Sequence, residues 1–140
     1  MASERARLRL LRQVMKAGEG QPGDQISMDK AVLADLLEAG FGRLVDEKWY
    51  LERYPDVADA IRKGAVASAR AHYFGSGIFE GRVPYEIGID SRSYLAKHRD
   101  VADAVRTGTY RSGRDHFLRL GFAEGRSFTL ESGVSRSGRS

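Results

Sequence analysis

The feature that most constrains this chain is an internal repeat. Residues 46–84 align without a gap with residues 90–128, so that each position matches one 44 residues further along. Both copies keep the run DVADA, at 56–60 and 100–104, and both end in the triplet EGR, at 80–82 and 124–126. A gapless period of this length marks a duplicated supersecondary unit, and such units bury a shared core when they stack.

Each copy predicts three short helices. Asp46 and Asp90 are suited to cap the first helix, and Pro55 opens the second helix of copy one. The second helix is expected to end at Gly64 or Gly108. A third helix, capped by a serine and ended by Gly77 or Gly121, is expected to bury aromatic, leucine and histidine side chains; the residues concerned are Ser68, His72, Tyr73, Ser112, His116, Phe117 and Leu120.

Two further helices are predicted before the repeat. In residues 3–17 the spacing predicts an amphipathic helix. Its basic face is formed by Arg5, Arg9, Arg12 and Lys16, and its apolar face by Leu8, Leu11 and Met15. A glycine-rich connector follows, which suggests that this helix need not pack on the rest. The second helix is predicted from about Met28 to Ala39, with Ser27 as its cap, Gly40 as its end and an apolar stripe of Val32, Leu33, Leu36 and Leu37.

No segment alternates with a period of two, so the predicted fold is all-α. The domain plan is an N-terminal amphipathic helix, a second helix and two stacked copies of a repeat of about 44 residues. Its boundaries are residues 1–20 for the docking helix, 21–44 for the linker and second helix, 45–88 and 89–131 for the repeats, and 132–140 for a disordered Ser/Gly/Arg tail.

The positive charge is concentrated near the N-terminus. The chain carries 23 Lys and Arg against 19 Asp and Glu, a net charge of +4. Residues 3–17 contain five basic side chains and one acidic, and therefore equal the whole net charge. The nearly neutral remainder argues against nucleic-acid binding, because such binding draws its affinity from many phosphate contacts.

Composition narrows the class of protein further. With 140 residues and no cysteine, the chain suits one ordinary domain without disulfides or thiolate metal sites. No apolar run approaches the roughly 18 residues of a membrane-spanning helix, and the arginines near the start do not fit a signal peptide. We expect a soluble protein. The sequence does not fix its location, which is either the cytoplasm or the surface of a particle or envelope, reached without a classical signal.

Little in the sequence suggests catalysis. His72 with Glu80, echoed by His116 with Glu124, is the only recurring set that could bind a metal or transfer protons, and it is too small for a zinc site. We therefore expect no enzyme activity, no cofactor and no metal. Gly81 and Gly125 are expected at positive φ, and Glu80 with Arg82 is expected to tie one unit to its neighbour.

Aromatic side chains are the better candidates for ligand contact. Trp49 and Tyr54 are replaced in the second copy by Ser93 and His98, which favours surface over core positions for them. The predicted ligand-binding residues are Trp49, Tyr54, Tyr85, His72, His116, Arg82 and Arg126, and the predicted docking residues are Arg5, Leu8, Arg9, Leu11, Arg12 and Met15.

The pattern WYLxxYPDVAxAxxxG followed by HYxxxGxxEGR resembles a short helical repeat of bacterial proteins associated with cell-surface polysaccharide. It is similar to segments that accompany glycosyltransferases and rhamnan-synthesis-type proteins, and to units in some large secreted bacterial proteins. The resemblance covers roughly residues 45–128, although the second copy lacks the tryptophan and both prolines. It implies a polysaccharide context and supplies no catalytic residues.

Three functions follow as hypotheses. The first is a non-catalytic adaptor that docks on a cell envelope or phage-like particle through its N-terminus and binds bacterial polysaccharide through the repeats. The second is a cytoplasmic subunit that scaffolds polysaccharide-synthesis enzymes. The third is binding to a membrane surface or nucleic acid through the basic helix. A homo-oligomer is compatible with each of them.

Overall fold

A computed structural model describes residues 3–16 and 27–132. Its helices are α1 (Glu4–Met15), α2 (Lys30–Phe41), α3 (Glu47–Arg53), α4 (Pro55–Arg62), α5 (Ala69–His72), α6 (Ser91–Lys97), α7 (Arg99–Arg106) and α8 (Gly113–His116). A 3-10 turn, Gly42–Leu44, follows α2, and π-helical turns follow α5 (Tyr73–Gly77) and α8 (Phe117–Gly121). The only extended pairing among these residues is an isolated bridge between Ile89 and Leu130, so the all-α prediction is confirmed.

The chain divides into two compact units, residues 1–85 and 86–140. In the first unit the Asp46 carboxylate accepts a hydrogen bond from the Trp49 amide at 3.0 Å and caps α3. Tyr54 ends α3, and Pro55 stands at the first position of α4, where its missing N–H leaves no donor unpaired. Ser68 caps α5 through the Ala71 amide, at 3.0 Å. The predicted caps of this copy are therefore correct.

The second unit has the same elements 44 residues later. Asp90 caps α6 through the Ser93 amide, and Ser112 caps α8 through the Asp115 amide, both at 3.0 Å. The backbone is left-handed at Gly64, Gly81, Gly108 and Gly125, as glycine permits. The prediction for the two EGR glycines is thereby confirmed, whereas stacking of the two copies stays a prediction.

The core of each unit is built on a tyrosine of its first helix. Tyr50 and Tyr94 are fully buried, each against an aromatic ring of the following π-helical turn, Tyr73 or Phe117. Val57 and Val101 close the core from the second helix. Leu120, which was expected to be buried, is exposed, because the turn after α8 winds with π geometry and moves it off the inner face.

Helix α1 is not free. Leu8 and Leu11 are only 2% and 3% exposed, and the Tyr85 hydroxyl donates to the Glu4 carboxylate at 3.0 Å. The sequence reasoning was therefore wrong to offer Leu8 and Leu11 as docking residues, since their side chains are already buried within the fold. Met15 is half-buried at the end of the same helix.

Helix α2 differs from its prediction at both ends and along its stripe. Asp29, rather than Ser27, caps it by accepting from the Ala31 amide at 2.8 Å. Gly40 does not end the helix, which continues to Phe41 and into the 3-10 turn. Within the predicted stripe Leu33 and Leu37 are half-buried, whereas Val32 and Leu36 are exposed.

Two predicted segments lie outside the described residues: the glycine-rich connector over 17–26 and the tail from 133 onward. No helix within the described ranges has the length and apolar character needed to cross a membrane.

A glycine pair in the turn Tyr73–Gly77 gives a test of the core. A Cβ at Gly77 would collide with the Tyr50 hydroxyl, whereas a Cβ at Gly75 has no heavy atom within 4 Å. We expect Gly77→Ala to lower the free energy of unfolding by about 1–3 kcal/mol, as overpacking does. Gly75→Ala should leave it unchanged or raise it by up to about 1 kcal/mol. Urea unfolding of both variants measures this, and equal effects would contradict the proposed close contact.

Candidate functional site

Each unit contains a tyrosine–histidine pair with a glycine beneath it. In the first unit a hydrogen bond of 3.0 Å joins Tyr50 Oη and His72 Nδ1. Burial raises the pKa of Tyr50 above its ordinary value, and burial together with the Arg82 charge lowers the pKa of His72. Both shifts favour the neutral forms. The pair is therefore suited to holding α3 on α5 through a hydrogen bond between two neutral side chains.

The second unit repeats this pair and closes it more tightly. Tyr94 Oη and His116 Nδ1 are also 3.0 Å apart, and burial raises the pKa of Tyr94 to about 12. The Tyr110 ring packs edge-on to His116 with centroids 4.8 Å apart. The corresponding residue of the first unit is Val66, and His72 there is only half-buried. His116 is thus a buried core residue, and its assignment to ligand binding was wrong.

A second contact closes the other side of each tyrosine. Tyr54 packs on Tyr50 with centroids 4.7 Å apart, and its hydroxyl accepts from the Val83 amide at 3.1 Å. In the second unit His98 packs on Tyr94 at 4.6 Å, and its Nε2 donates to the Ser127 carbonyl at 2.8 Å. Tyrosine and histidine therefore fill the same position with hydrogen bonds of opposite direction.

Arg82 forms an ionic cluster beside these rings. Its Nη1 and Nη2 donate to the two oxygens of Asp56 at 3.0 and 2.7 Å, and its Nε donates to Glu80 at 2.8 Å. The guanidinium also lies over the Tyr54 ring, 4.7 Å from its centroid. The hydrogen bonds from Arg82 lower the pKa of Asp56 and keep it ionised. With one cation and two carboxylates, the cluster has a formal charge of −1.

The second unit has the same cluster on Arg126. Its Nη1 donates to Asp100 at 2.9 Å and its Nε to Glu124 at 2.8 Å. In both units all three members belong to one copy of the repeat. The expectation that Glu80 and Arg82 tie one unit to its neighbour is therefore wrong, because the arginine binds residues of its own unit.

Trp49 distinguishes the two units. Its ring is half-buried and meets Tyr54 edge-on, with centroids 6.4 Å apart. Tyr54 in turn underlies Arg82, so rings and charges adjoin. We call this set of Trp49, Tyr54, Arg82, Asp56 and Glu80 the Trp49 edge. In the second unit Ser93 replaces the tryptophan, and its hydroxyl donates to Thr129 at 3.4 Å.

The other predicted site residues separate into two groups. Tyr85 is buried and bonded to Glu4, so it is not available to a ligand as predicted. On α1, Arg5 and Arg9 are exposed and Arg12 is half-buried. Among the described residues no group of three histidine, aspartate or glutamate side chains is arranged to hold a metal ion.

Sequence reasoning did not select Asp56 and Asp100. Their signal was present in the DVADA run, since each acid recurs 26 residues before the arginine of its EGR triplet. Pairing over that distance depends on the fold, and an acid in the first turn of a helix is already favoured by the helix dipole without any partner.

Comparisons of the chain with protein-family models, with curated proteins and with solved structures found no match.

The Tyr73 hydroxyl gives a second test of the core. It is buried, and no described residue hydrogen-bonds to it, whereas the second unit has Phe117 at this position. We expect Tyr73→Phe to leave the free energy of unfolding unchanged or raise it by up to about 1 kcal/mol, because it removes an unpaired buried group. Tyr50→Phe should lower it by about 1 kcal/mol, since His72 loses its partner. Equal losses in thermal unfolding would count against this assignment.

Proposed function

We propose that this chain is a non-catalytic attachment subunit that binds bacterial surface polysaccharide through the helical repeat. We further propose that it docks through its N-terminus on a larger assembly, a cell envelope or a phage-like particle. The resemblance of the repeat to units of polysaccharide-associated proteins supplies the ligand class. The observation that carries the proposal is the Trp49 edge, where a half-buried tryptophan meets Tyr54 and Tyr54 in turn underlies Arg82, which binds the Asp56 and Glu80 carboxylates.

The chemistry of the Trp49 edge suits a neutral sugar. An aromatic ring offers a flat apolar surface to the C–H face of a pyranose. The Asp56 and Glu80 carboxylates, with side chains 62% and 48% exposed, can accept hydrogen bonds from hydroxyl groups. Because the cluster carries a formal negative charge, we expect uncharged polysaccharides to bind there in preference to acidic ones.

Docking through α1 would be electrostatic. With Leu8 and Leu11 buried, the basic side chains become the candidates to meet a partner: Arg5, Arg9 and Lys16 are exposed and Arg12 is half-buried. Their spacing places them on one side of the helix. None of them forms an ion pair with another described residue. An acidic surface of an assembly is the complementary partner.

The cytoplasmic scaffold remains the second candidate. It is favoured by Trp49 as well, because a half-buried aromatic ring at a surface is typical of protein contacts. Under that hypothesis the repeat binds a synthesis enzyme and no glycan.

Glycan binding is tested by removing the tryptophan. We expect the intact chain to be retained on purified neutral capsular or exopolysaccharide, and Trp49→Ala to weaken retention about tenfold or more, as loss of a central aromatic contact does. Phe79→Ala is the matched control, because Phe79 is an exposed aromatic residue of the same unit outside the Trp49 edge. Glycan affinity electrophoresis measures both. Absence of retention on every glycan, with the chain folded, would favour the scaffold.

Docking is tested by removing charge from α1. We expect Arg5→Gln, Arg9→Gln and Arg12→Gln together to abolish co-sedimentation with envelope or particle fractions while leaving glycan retention intact. Rising salt should mimic the change, because exposed ion pairs are screened. The control is Lys63→Gln, Arg92→Gln and Arg99→Gln, three exposed cations elsewhere. Equal losses in both triple variants would show an effect of net charge alone and would contradict docking through α1.

A further inference from the structure

Helix α2 has exposed apolar side chains next to its inner face. Leu33 and Leu37 on its inner side are half-buried. Val32 and Leu36, one turn apart on its outer side, are 49% and 56% exposed, and Met28, just before the helix, is 49% exposed. Ala31 and Ala39 are exposed as well, and Asp35 is the one charge among them. Exposed apolar side chains grouped on one side of a helix are typical of a contact surface, so this outer face is a candidate surface for a partner.

We propose that the outer face of α2 binds the same face of a second copy of this chain, with the two helices antiparallel about a two-fold axis. A register centred on Leu36 places the two Leu36 side chains together. It sets Val32 of each copy against Gly40 of the other, and Asp29 of each against Arg43 of the other. The inference is independent of the glycan and docking proposals.

The small residue in this register supports a second copy. Gly40 has no heavy atom within 4 Å of the position of a Cβ, so its surroundings are open on that side. A glycine within a helix costs about 1 kcal/mol relative to alanine, and close approach of another helix is a reason to retain one. Val32 of a second copy would fill that space, while the ridges formed by residues four apart would interdigitate.

Charge complementarity supports the same register. Asp29 lies at the N-terminal end of α2, and Arg43 lies exposed in the turn after its C-terminal end. Neither side chain forms an ion pair with another described residue. Because antiparallel helices bring opposite ends together, one arrangement pairs both acids with both arginines. A parallel pair would instead place like charges side by side.

The area of the α2 contact determines how strongly the two copies are expected to associate. A single helix face is smaller than the roughly 800 Å² per partner of a standard stable interface, so the dimer should dissociate on dilution. Two copies would present two Trp49 edges to one repetitive ligand, and linked weak sites gain affinity without any new contact.

The experiment is sedimentation velocity of the full chain over a wide range of concentration. We expect a monomer–dimer equilibrium that Leu36→Glu weakens about tenfold or more, because it buries a charge at the centre of the contact. Leu10→Glu is the matched control, since Leu10 is an exposed leucine within α1, 43% exposed, and should leave dimerisation unchanged. Circular dichroism should show both variants folded, because both side chains already lie at the surface.

The register is tested by charge reversal. Arg43→Glu should weaken the dimer, whereas Arg43→Lys, which keeps the positive charge, should leave it unchanged. A monomer at every concentration, or equal dimerisation of wild type and Leu36→Glu, would overturn the proposal. Equal dimerisation of Arg43→Glu and Arg43→Lys would overturn the antiparallel register. Glycan retention by monomeric Leu36→Glu would show that the proposed function stands without the dimer.

Discussion

Each unit depends on the contact between a tyrosine hydroxyl and the backbone of a glycine. Tyr50 reaches from α3 across the unit to His72, and its hydroxyl lies so close to Gly77 that a Cβ there would collide with it. Tyr94 has the same relation to His116 and Gly121. The hydrogen bond fixes the first helix to the third, and the glycine lets the two approach closely.

The π-helical turns are what bring glycine to that place. The Ile78 amide donates to the Tyr73 carbonyl at 2.8 Å, and the Phe122 amide donates to the Phe117 carbonyl at 2.9 Å, each across five residues. A turn of this width is rare and costs regular helical hydrogen bonding. Here it carries both the buried ring and the glycine onto the inner side, so one local distortion supplies two of the contacts that close the core. The sequence predicted a helix ending at the glycine but held no signal for the wider turn.

Short-range features of the repeat were predicted correctly, whereas the local cap and end of α2 were not. Caps such as Asp46 and Ser68 and glycines with positive φ such as Gly81 act within a few residues, and they were predicted correctly. The pairing of Tyr85 with Glu4 joins residues 81 positions apart, and local pattern does not encode such contacts. The partner of Arg82 was predicted wrongly for the same reason, because Asp56 lies 26 positions earlier in the sequence.

The two units share the same helices and the same buried tyrosine. The exchange of Tyr54 for His98 shows how their surface side chains can nevertheless differ. Both rings pack on the conserved tyrosine of their unit, yet one accepts from an amide and the other donates to a carbonyl. The fold of the unit therefore requires a polar aromatic ring at this position, and either an acceptor or a donor of the hydrogen bond satisfies it. The fold constrains the residue at the position of Trp49 even less, because Ser93 replaces it without a change in the N-cap of the helix. A surface can change at such positions at little cost to stability, which is why we propose the Trp49 edge, where the first unit departs from the second, as the site of glycan recognition.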